Sequence, residues 1–179
     1  MENDIAKVLI TENEIQQRVK DIGKQITADY QDSDLIMVGI LRGAVLFFGD
    51  LAKAIKVPLS MDFMAVSSYG ASTKTSGVVR IIHDLHQNIE GKDVLIVEDI
   101  VDTGLTLHYL IGNLKSRNPR SIRICCLLDK PSRRKADVTP DYVGFEVPDE
   151  FVVGYGLDYN EMYRNLPYIG VLKPDIYKK

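Results

Sequence analysis

Apolar positions recur along the chain at two different spacings, and their alternation predicts layers of helix and strand. Ile15, Val19, Ile22 and Ile26 stand three or four residues apart, which places them on one face of a helix. Thr11 and Glu14 supply a capping box at its start, so the chain is expected to open with this amphipathic helix. The apolar run Leu35 to Ile40 reads as a buried strand; Gly43 follows, and Val45, Phe47, Phe48, Leu51 and Ile55 mark a second helix ending before Pro58. Leu59 to Tyr69 and Val78 to His83 predict two more strands. Between them Gly70 to Gly77 is polar with no large apolar anchor, and reads as a mobile loop or a long hairpin tip.

The second half repeats the alternation. Asp93 to Val97 predicts a buried strand, Thr106 to Asn118 a helix with Leu107, Leu110, Ile111 and Leu114 on one face, and Ser121 to Leu128 another strand. Tyr142 to Val147 and Phe151 to Tyr155 predict short strands around Pro148. Strands alternating with helices need crossover connections, so the fold class expected is α/β, with a central, mostly parallel twisted sheet flanked by helices. A small appendage is expected from the two termini.

Composition narrows the class without naming one. A length of 179 residues, with 45% hydrophobic and 26% charged positions, suits a single globular unit over 1–179 with its own core. The net charge of -3 offers no general attraction for a polyanion, so neither nucleic acid nor a membrane surface is expected as partner, and any anion site must be local. Cys125 and Cys126 are adjacent in an apolar run, where successive side chains of a strand point to opposite faces; they read as reduced core residues. No apolar stretch approaches the ~18 residues that span a bilayer, and no charged start precedes an apolar run, so the cytosol is the expected compartment.

The chemistry concentrates in Val94 to Leu107. Glu98, Asp99 and Asp102 place three carboxylates within five residues at the C-terminal end of the strand expected over Asp93 to Val97, where open parallel sheets hold their ligands. Capping the next helix would need only one acceptor. Glu98 and Asp99 can only accept hydrogen bonds, which suits vicinal sugar hydroxyls or a hard divalent cation. Thr103, Gly104, Leu105 and Thr106 bring amides and hydroxyls to a helix start, which suits a phosphate. Asp102 lies at the junction. A ribose 5-phosphate, with hydroxyls at one end and a phosphate at the other, satisfies both halves.

This run resembles the phosphoribosyl pyrophosphate motif of the type I phosphoribosyltransferases, and Glu98-Asp99-Ile100-Val101-Asp102-Thr103-Gly104 has the form typical of hypoxanthine-guanine phosphoribosyltransferases. The resemblance extends to Leu41-Arg42-Gly43-Ala44, Ser68-Tyr69, Leu127 to Arg134 and Val143 to Arg164, and so covers nearly the whole chain from about Val8. It implies the type I phosphoribosyltransferase fold, with a core over roughly 35–150 and a hood made by the N-terminal segment, roughly 150–179 and a flexible loop. It implies purine salvage: transfer of the 5-phosphoribosyl group from phosphoribosyl pyrophosphate to N9 of hypoxanthine or guanine, with Mg2+, in a homodimer or homotetramer.

Roles carry over position by position. Leu41-Arg42-Gly43 matches the turn whose backbone binds pyrophosphate, commonly across a cis peptide, here expected at Arg42-Gly43; Arg42 and Ala44 depart from the commoner Lys-Gly-Gly form. Gly43 suits a backbone that must approach a ligand closely. Glu98, Asp99 and Asp158 are the expected metal contacts, and Asp102 the acid-base group. Lys130 matches the lysine that donates to the purine 6-oxo group, Phe151 the aromatic that stacks on the base, Val152 the residue whose main chain meets its edge, and Arg164 an arginine that reaches pyrophosphate. Ser68 and Tyr69 begin the expected lid, Ser68 to Gly77.

Other motifs fail on their spacing. Gly154-Tyr155-Gly156 is followed by Tyr159 where a dinucleotide fingerprint needs its third glycine, no Walker sequence is present, and His83, His86 and His108 lack metal-ligand spacing. Two rival readings remain at this level. One is a relative that accepts xanthine. The other is a nucleotide-sensing regulator of the same fold that binds RNA or DNA, whose only support is the basic loop Lys130, Arg133, Arg134 and Lys135.

Overall fold

The computed structural model describes residues 1–68 and 79–178. A six-stranded sheet runs through its centre, built from β2 (Leu35–Leu41), β3 (Leu59–Ser68), β4 (Val79–His83), β5 (Asp93–Val101), β6 (Ser121–Asp129) and β7 (Tyr142–Glu146) in the order β4-β3-β2-β5-β6-β7. All neighbours are parallel except β4, which lies antiparallel on β3. The α/β class and the mostly parallel sheet are those expected from the spacing of apolar positions.

The central strands are apolar on both sides because both faces are covered. Leu95 and Val97 of β5 face α1 (Glu12–Asp29) and α2 (Val45–Ala54), joining a core with Ile15, Ile22, Ile26, Phe47 and Leu51. Val94 and Ile96 face α3 (Leu105–Lys115) and pack with its Leu107, Leu110 and Leu114. Each of these side chains contributes about 1.5–3 kcal/mol through removal from water. Cys125 and Cys126 fall into opposite cores, buried and free, as their adjacency predicts. No helix among the described residues is long and apolar enough to cross a membrane.

A second sheet, β1-β9-β8, unites the two ends of the chain: β1 (Ile5–Ile10) pairs antiparallel with β9 (Ile169–Leu172), which also takes β8 (Val152–Val153). A four-residue helix, α4 (Pro174–Tyr177), follows.

Several boundaries differ from expectation. The capping box at Thr11 and Glu14 is formed, but a single 3-10 turn (Glu2–Asp4) and the strand β1 precede the helix it caps. Residues 5–10 show no clean alternation of burial, and their partner lies at the far end of the sequence, so no local pattern reveals them. β5 runs four residues beyond Val97 because pairing with β6 continues through Glu98–Cys126 and Val101–Asp129. The strand expected at Phe151 to Tyr155 shrinks to Val152–Val153, since Gly154 and Tyr155 both take positive φ. Tyr69 and Gly70 to Gly77 lie outside the described residues, as does Val78.

At the end of β5 away from Glu98, Asp93 is almost fully buried and anchors the loops. It accepts from the Arg120 guanidinium and from Ser121 Oγ at 2.6 Å, while its backbone N donates to Asp34 O at 3.0 Å. The Arg120 hydrogen bonds, with help from Ser121 and against the opposing effect of burial, hold its carboxyl at about 2 instead of 3.8. A depressed carboxyl stabilises the fold above its unfolded value and loses that contribution as pH falls through its folded value. Asp93→Asn is therefore expected to cost about 1–2 kcal/mol at neutral pH, discounted for the exposure of Arg120. Urea unfolding against pH checks this: the difference from wild type should close between about pH 4 and pH 2.

Candidate active site

The C-terminal ends of β2 and β5, with the start of α3, line a cavity of about 480 Å³ that contains Arg42, Gly43, Glu98, Asp99, Asp102, Thr103, Gly104, Thr106, Asp158 and Arg164. A second cavity, of about 590 Å³, is lined by Lys130, Arg133, Phe151, Val152 and Tyr177 among others. The two share Asp99, Ile100, Asp102 and Asp158 as a common wall. Most residues singled out in the sequence thus come together, in two adjoining hollows.

Three chain segments meet at the floor of the first cavity with no spare room. A Cβ on Gly43 would lie 1.6 Å from Asp99 Oδ2, and a Cβ on Gly156 would lie 2.0 Å from Gly43 O. Gly43 is therefore demanded by a carboxylate of the protein itself, where the sequence suggested a ligand. The cis peptide is Leu41-Arg42, one bond earlier than expected at Arg42-Gly43.

Glu98 and Asp99 extend β5 into this crowded floor. Asp99 Oδ1 accepts from Ile100 N at 2.7 Å, a bond between neighbours that leaves most of the pair's acceptor capacity open. Burial pushes both carboxyls above their ordinary range, and for Glu98 the charge of Asp99 pushes further; hydrogen bonds and the nearby Arg164 pull Asp99 partly back. Two adjacent acids held in this way call for hydroxyl donors or a cation.

The opposite charge preference follows within five residues. Gly104 sits at φ 77 as the N-cap of α3 and has no side chain to offer the first turn, so the amides there remain available to an anion. Thr103 Oγ1 reaches Leu105 N only at 3.4 Å. Leu105 itself is exposed and its side chain does not line the cavity.

The basic loop folds back onto this turn. Lys135 N and Ala136 N donate to Thr103 O at 2.9 and 3.1 Å, and Arg134 Nη1 donates to Asp102 O at 3.0 Å while pairing with Asp129. Arg133 bridges Asp102 Oδ1, at 2.6 Å, and Asp149, at 3.2 Å. Arg133 and Arg134 are thus taken up by carboxylates and Lys130 lies within 4.0 Å of Asp149, so three of the four basic side chains are engaged, which removes most of the support for a surface that binds RNA or DNA. In the sequence Arg133 figured only as one charge of the basic loop, which gave no sign of its partner.

In the second cavity Lys130 is 7% exposed, and its Nζ donates to Glu150 O at 2.6 Å and lies 4.0 Å from Asp149. An exposed lysine would lose nothing by facing solvent; this one is held against a carbonyl at the cavity wall. Phe151 stacks on Tyr177 with ring centroids 4.7 Å apart and meets Tyr159 edge-on at 5.7 Å, yet keeps 37% of its surface exposed for another planar partner. Tyr177, in the four-residue helix near the end of the chain, could not be anticipated from its local pattern. Val152 is buried in β8 beside it.

Asp158 and Arg164 also line the first cavity. Arg164 Nη2 lies 3.0 Å from Asp158 Oδ1, and Nη1 donates to Gly156 O at 2.8 Å. Asp158 Oδ2 accepts from Glu161 N at 2.9 Å. Among the described residues no three His, Cys, Asp or Glu side chains gather into a donor set for a metal, so Glu98, Asp99 and Asp158 do not form a closed cage. Ser68 ends β3, and Tyr69 and the rest of the expected lid lie outside the described residues.

Comparison with known proteins agrees with this geometry. Residues 9–160 match the phosphoribosyl transferase domain family. The chain is 60% identical to a hypoxanthine-guanine phosphoribosyltransferase of Bacillus subtilis (strain 168), over 99% of both chains. It is 57% identical to the hypoxanthine-guanine phosphoribosyltransferase of Mycobacterium tuberculosis (strain CDC 1551 / Oshkosh), over 98% of this chain and 90% of that one. A crystal structure of a hypoxanthine phosphoribosyltransferase from Staphylococcus aureus matches it with a TM-score of 0.97 at 56% identity, covering 100% of this chain and 97% of the other. With an acidic strand end, an anion-ready helix start and a lysine-lined second hollow in one continuous site, the chain belongs to the hypoxanthine-guanine phosphoribosyltransferase family.

Proposed function

We propose that this enzyme salvages purines by transferring the 5-phosphoribosyl group of phosphoribosyl pyrophosphate to N9 of hypoxanthine or guanine, giving IMP or GMP and pyrophosphate. The observation that carries the reading is the pair of adjoining cavities with Asp99, Ile100, Asp102 and Asp158 as their shared wall. A reaction that joins a sugar to a base needs such a wall, since the bond must form between two separately recognised partners.

In the first cavity the ribose hydroxyls donate to Glu98 and Asp99, and the 5-phosphate takes the amides and hydroxyls of Thr103 to Thr106, with Leu105 contributing through its backbone. The backbone at Arg42 and Gly43 and the Arg164 guanidinium face the pyrophosphate. In the second, the purine ring lies on Phe151 with its edge toward Val152, and Lys130 donates to O6. An adenine would place an amino group against that cation and is therefore rejected. The C1–N9 bond forms as the C1–O bond to pyrophosphate breaks, and Asp102 takes or shares the N7 proton.

Magnesium fits the site through oxygen ligands alone. Mg2+ is commonly held by one or two carboxylates plus substrate phosphate oxygens rather than by a protein cage, which accords with Glu98 and Asp99 beside an open cavity and Asp158 across it. Bound there, it supplies positive charge to the departing pyrophosphate. A cytoplasmic homodimer or homotetramer is the assembly proposed; the exposed Val45 and Leu46 at the start of α2 are apolar surface available for self-association.

Initial rates with hypoxanthine, guanine, xanthine, adenine and orotate, each with and without Mg2+, test the assignment directly. Magnesium-dependent turnover of hypoxanthine and guanine is expected, with adenine and orotate inactive; the converse pattern would remove the base assignment. Asp102→Asn is expected to lower kcat by roughly 10²–10⁴-fold, the usual worth of a positioned acid-base group. Its KM for phosphoribosyl pyrophosphate should stay within a few-fold of wild type, as steady-state kinetics would establish. Glu98→Gln should separate stability from function. Burial and the neighbouring Asp99 oppose ionisation of Glu98 and so cost the free fold stability at neutral pH, and this substitution is expected to raise the Tm of the free enzyme by roughly 2–4 °C, the equivalent of ~1 kcal/mol in a chain of this size. The same substitution should weaken phosphoribosyl pyrophosphate binding, and calorimetry on the two forms reads both effects.

A further inference from the structure

One aromatic side chain in the second cavity has no part in the scheme above. Tyr177 lines that cavity and not the first, and its ring stacks on Phe151 with centroids 4.7 Å apart and planes 21° from parallel. Tyr159 meets the same phenylalanine edge-on, with centroids 5.7 Å apart. Phe151 is thus held from two directions, while 37% of its surface stays exposed.

The tyrosine is itself anchored. Its helix α4 starts one residue after β9, and Ile176 and Tyr177 pack against the cluster of Val153, Tyr163, Leu166 and Leu172. Hydrogen bonds close the frame: Leu172 N donates to Phe151 O at 2.9 Å, Lys173 N to Asp4 O at 2.9 Å and Lys173 Nζ to Asn3 O at 2.7 Å. The main chain of Phe151 and the ring that stacks on its side chain therefore hang on the same strand. Two roles for the stack differ in sign. A tyrosine free to move would compete with an incoming base for the phenylalanine, whereas one fixed in a core backs it. Displacing Tyr177 means pulling α4 from its cluster, so the anchoring favours the second. An unheld ring gives up its rotamer freedom when a planar ligand settles on it; a ring already held gives up less.

We propose that Tyr177 is a positioning residue for the base: it backs the Phe151 ring, so that the phenylalanine offers the purine a fixed face and the base, Phe151 and Tyr177 stack in that order. Tyr177 acts through Phe151 and touches neither the sugar nor the pyrophosphate. The affinity for the base is thereby tied to the seating of the last helix, and through Lys173 to the first residues of the chain. The proposal rests on the assignment of the base to Phe151.

The test is steady-state kinetics on Tyr177→Leu, Tyr177→Phe, Phe151→Leu and the double variant Phe151→Leu with Tyr177→Leu. In Tyr177→Leu, KM for hypoxanthine and for guanine is expected to rise by roughly two- to tenfold, the range an aromatic pair supports. KM for phosphoribosyl pyrophosphate and kcat should stay at wild-type values, and Tyr177→Phe, which keeps the ring, should restore KM for the base. Because the tyrosine acts through Phe151, adding Tyr177→Leu to Phe151→Leu should raise that KM no further. A fall in KM for the base in Tyr177→Leu would show competition for the ring, and additive effects in the double variant would show a role independent of Phe151; either overturns the proposal. So does a parallel rise in both substrates' KM with a lowered Tm, which would assign the effect to the stability of the terminal sheet. Phe151→Leu alone separates the two levels of inference. If it raises KM for the base while Tyr177→Leu does nothing, only the backing role falls; if it leaves that KM unchanged, the assignment of the base to Phe151 falls with it.

Discussion

The carboxylate of Asp99 pressed against the backbone of Gly43 is the contact on which the site depends. It fixes the end of β5 against the turn after β2, and Gly156 then fits over Gly43 with equally little room. Three segments distant in sequence are thereby locked within one or two atomic diameters of each other. The packing is possible only because two of the three supply no side chain. It holds two adjacent acids where burial opposes their charge, so the free protein carries an electrostatic cost that a polyhydroxyl ligand and a cation relieve. Sites that store cost in this way exchange some stability for binding.

Charge is segregated around that contact over a short distance. Glu98 and Asp99 repel phosphate, while the bare start of α3 behind Gly104 attracts it, and only a ligand with hydroxyls and phosphate set apart can use both. The basic loop after β6 serves the same arrangement. Arg133 and Arg134 hold Asp102 and the adjoining backbone, so their charge is spent on geometry and little is left to draw a polyanion from solution. The segment that would have supported a nucleic-acid-binding regulator is a scaffold for the acid at the shared wall.

Much of this was legible in the sequence wherever the information was local. The 3.6-residue spacing from Ile15 to Ile26 gave α1, the apolar runs gave the strands of the parallel sheet, and the Glu98 to Thr106 segment marked a run most of which lines one cavity. Long-range contacts were not legible. β1 exists because Ile5–Ile10 finds Ile169–Leu172, and Arg133 meets Asp102 only after the loop folds back. The reason for Gly43 was misplaced on the same ground, since the atom it avoids belongs to Asp99, more than fifty positions away. The cis bond was displaced by one position, to Leu41-Arg42, because the sequence marks the turn but not which of its peptides is isomerised.

The two cavities draw on different parts of the chain, and this bears on how specificity arises. The first is built mainly from β2, β5 and the start of α3, in the middle of the sequence. Apart from the shared wall, the second comes from Lys130 onward and is finished by Phe151 and Tyr177, which the terminal sheet β1-β9-β8 and α4 hold in place. In the proposed scheme, substitutions at Lys130, Phe151 and Tyr177, which line only the second cavity, can therefore retune which base is accepted without touching the first. Catalysis has no such freedom. In the proposed reaction the bond between base and sugar forms across Asp99, Ile100, Asp102 and Asp158, and of these only Asp102 is a carboxylate assigned to neither the ribose nor the pyrophosphate end. That position, together with the Arg133 contact at 2.6 Å, is the reason the proposed scheme gives Asp102 the proton on the base and leaves the sugar to the neighbouring acids.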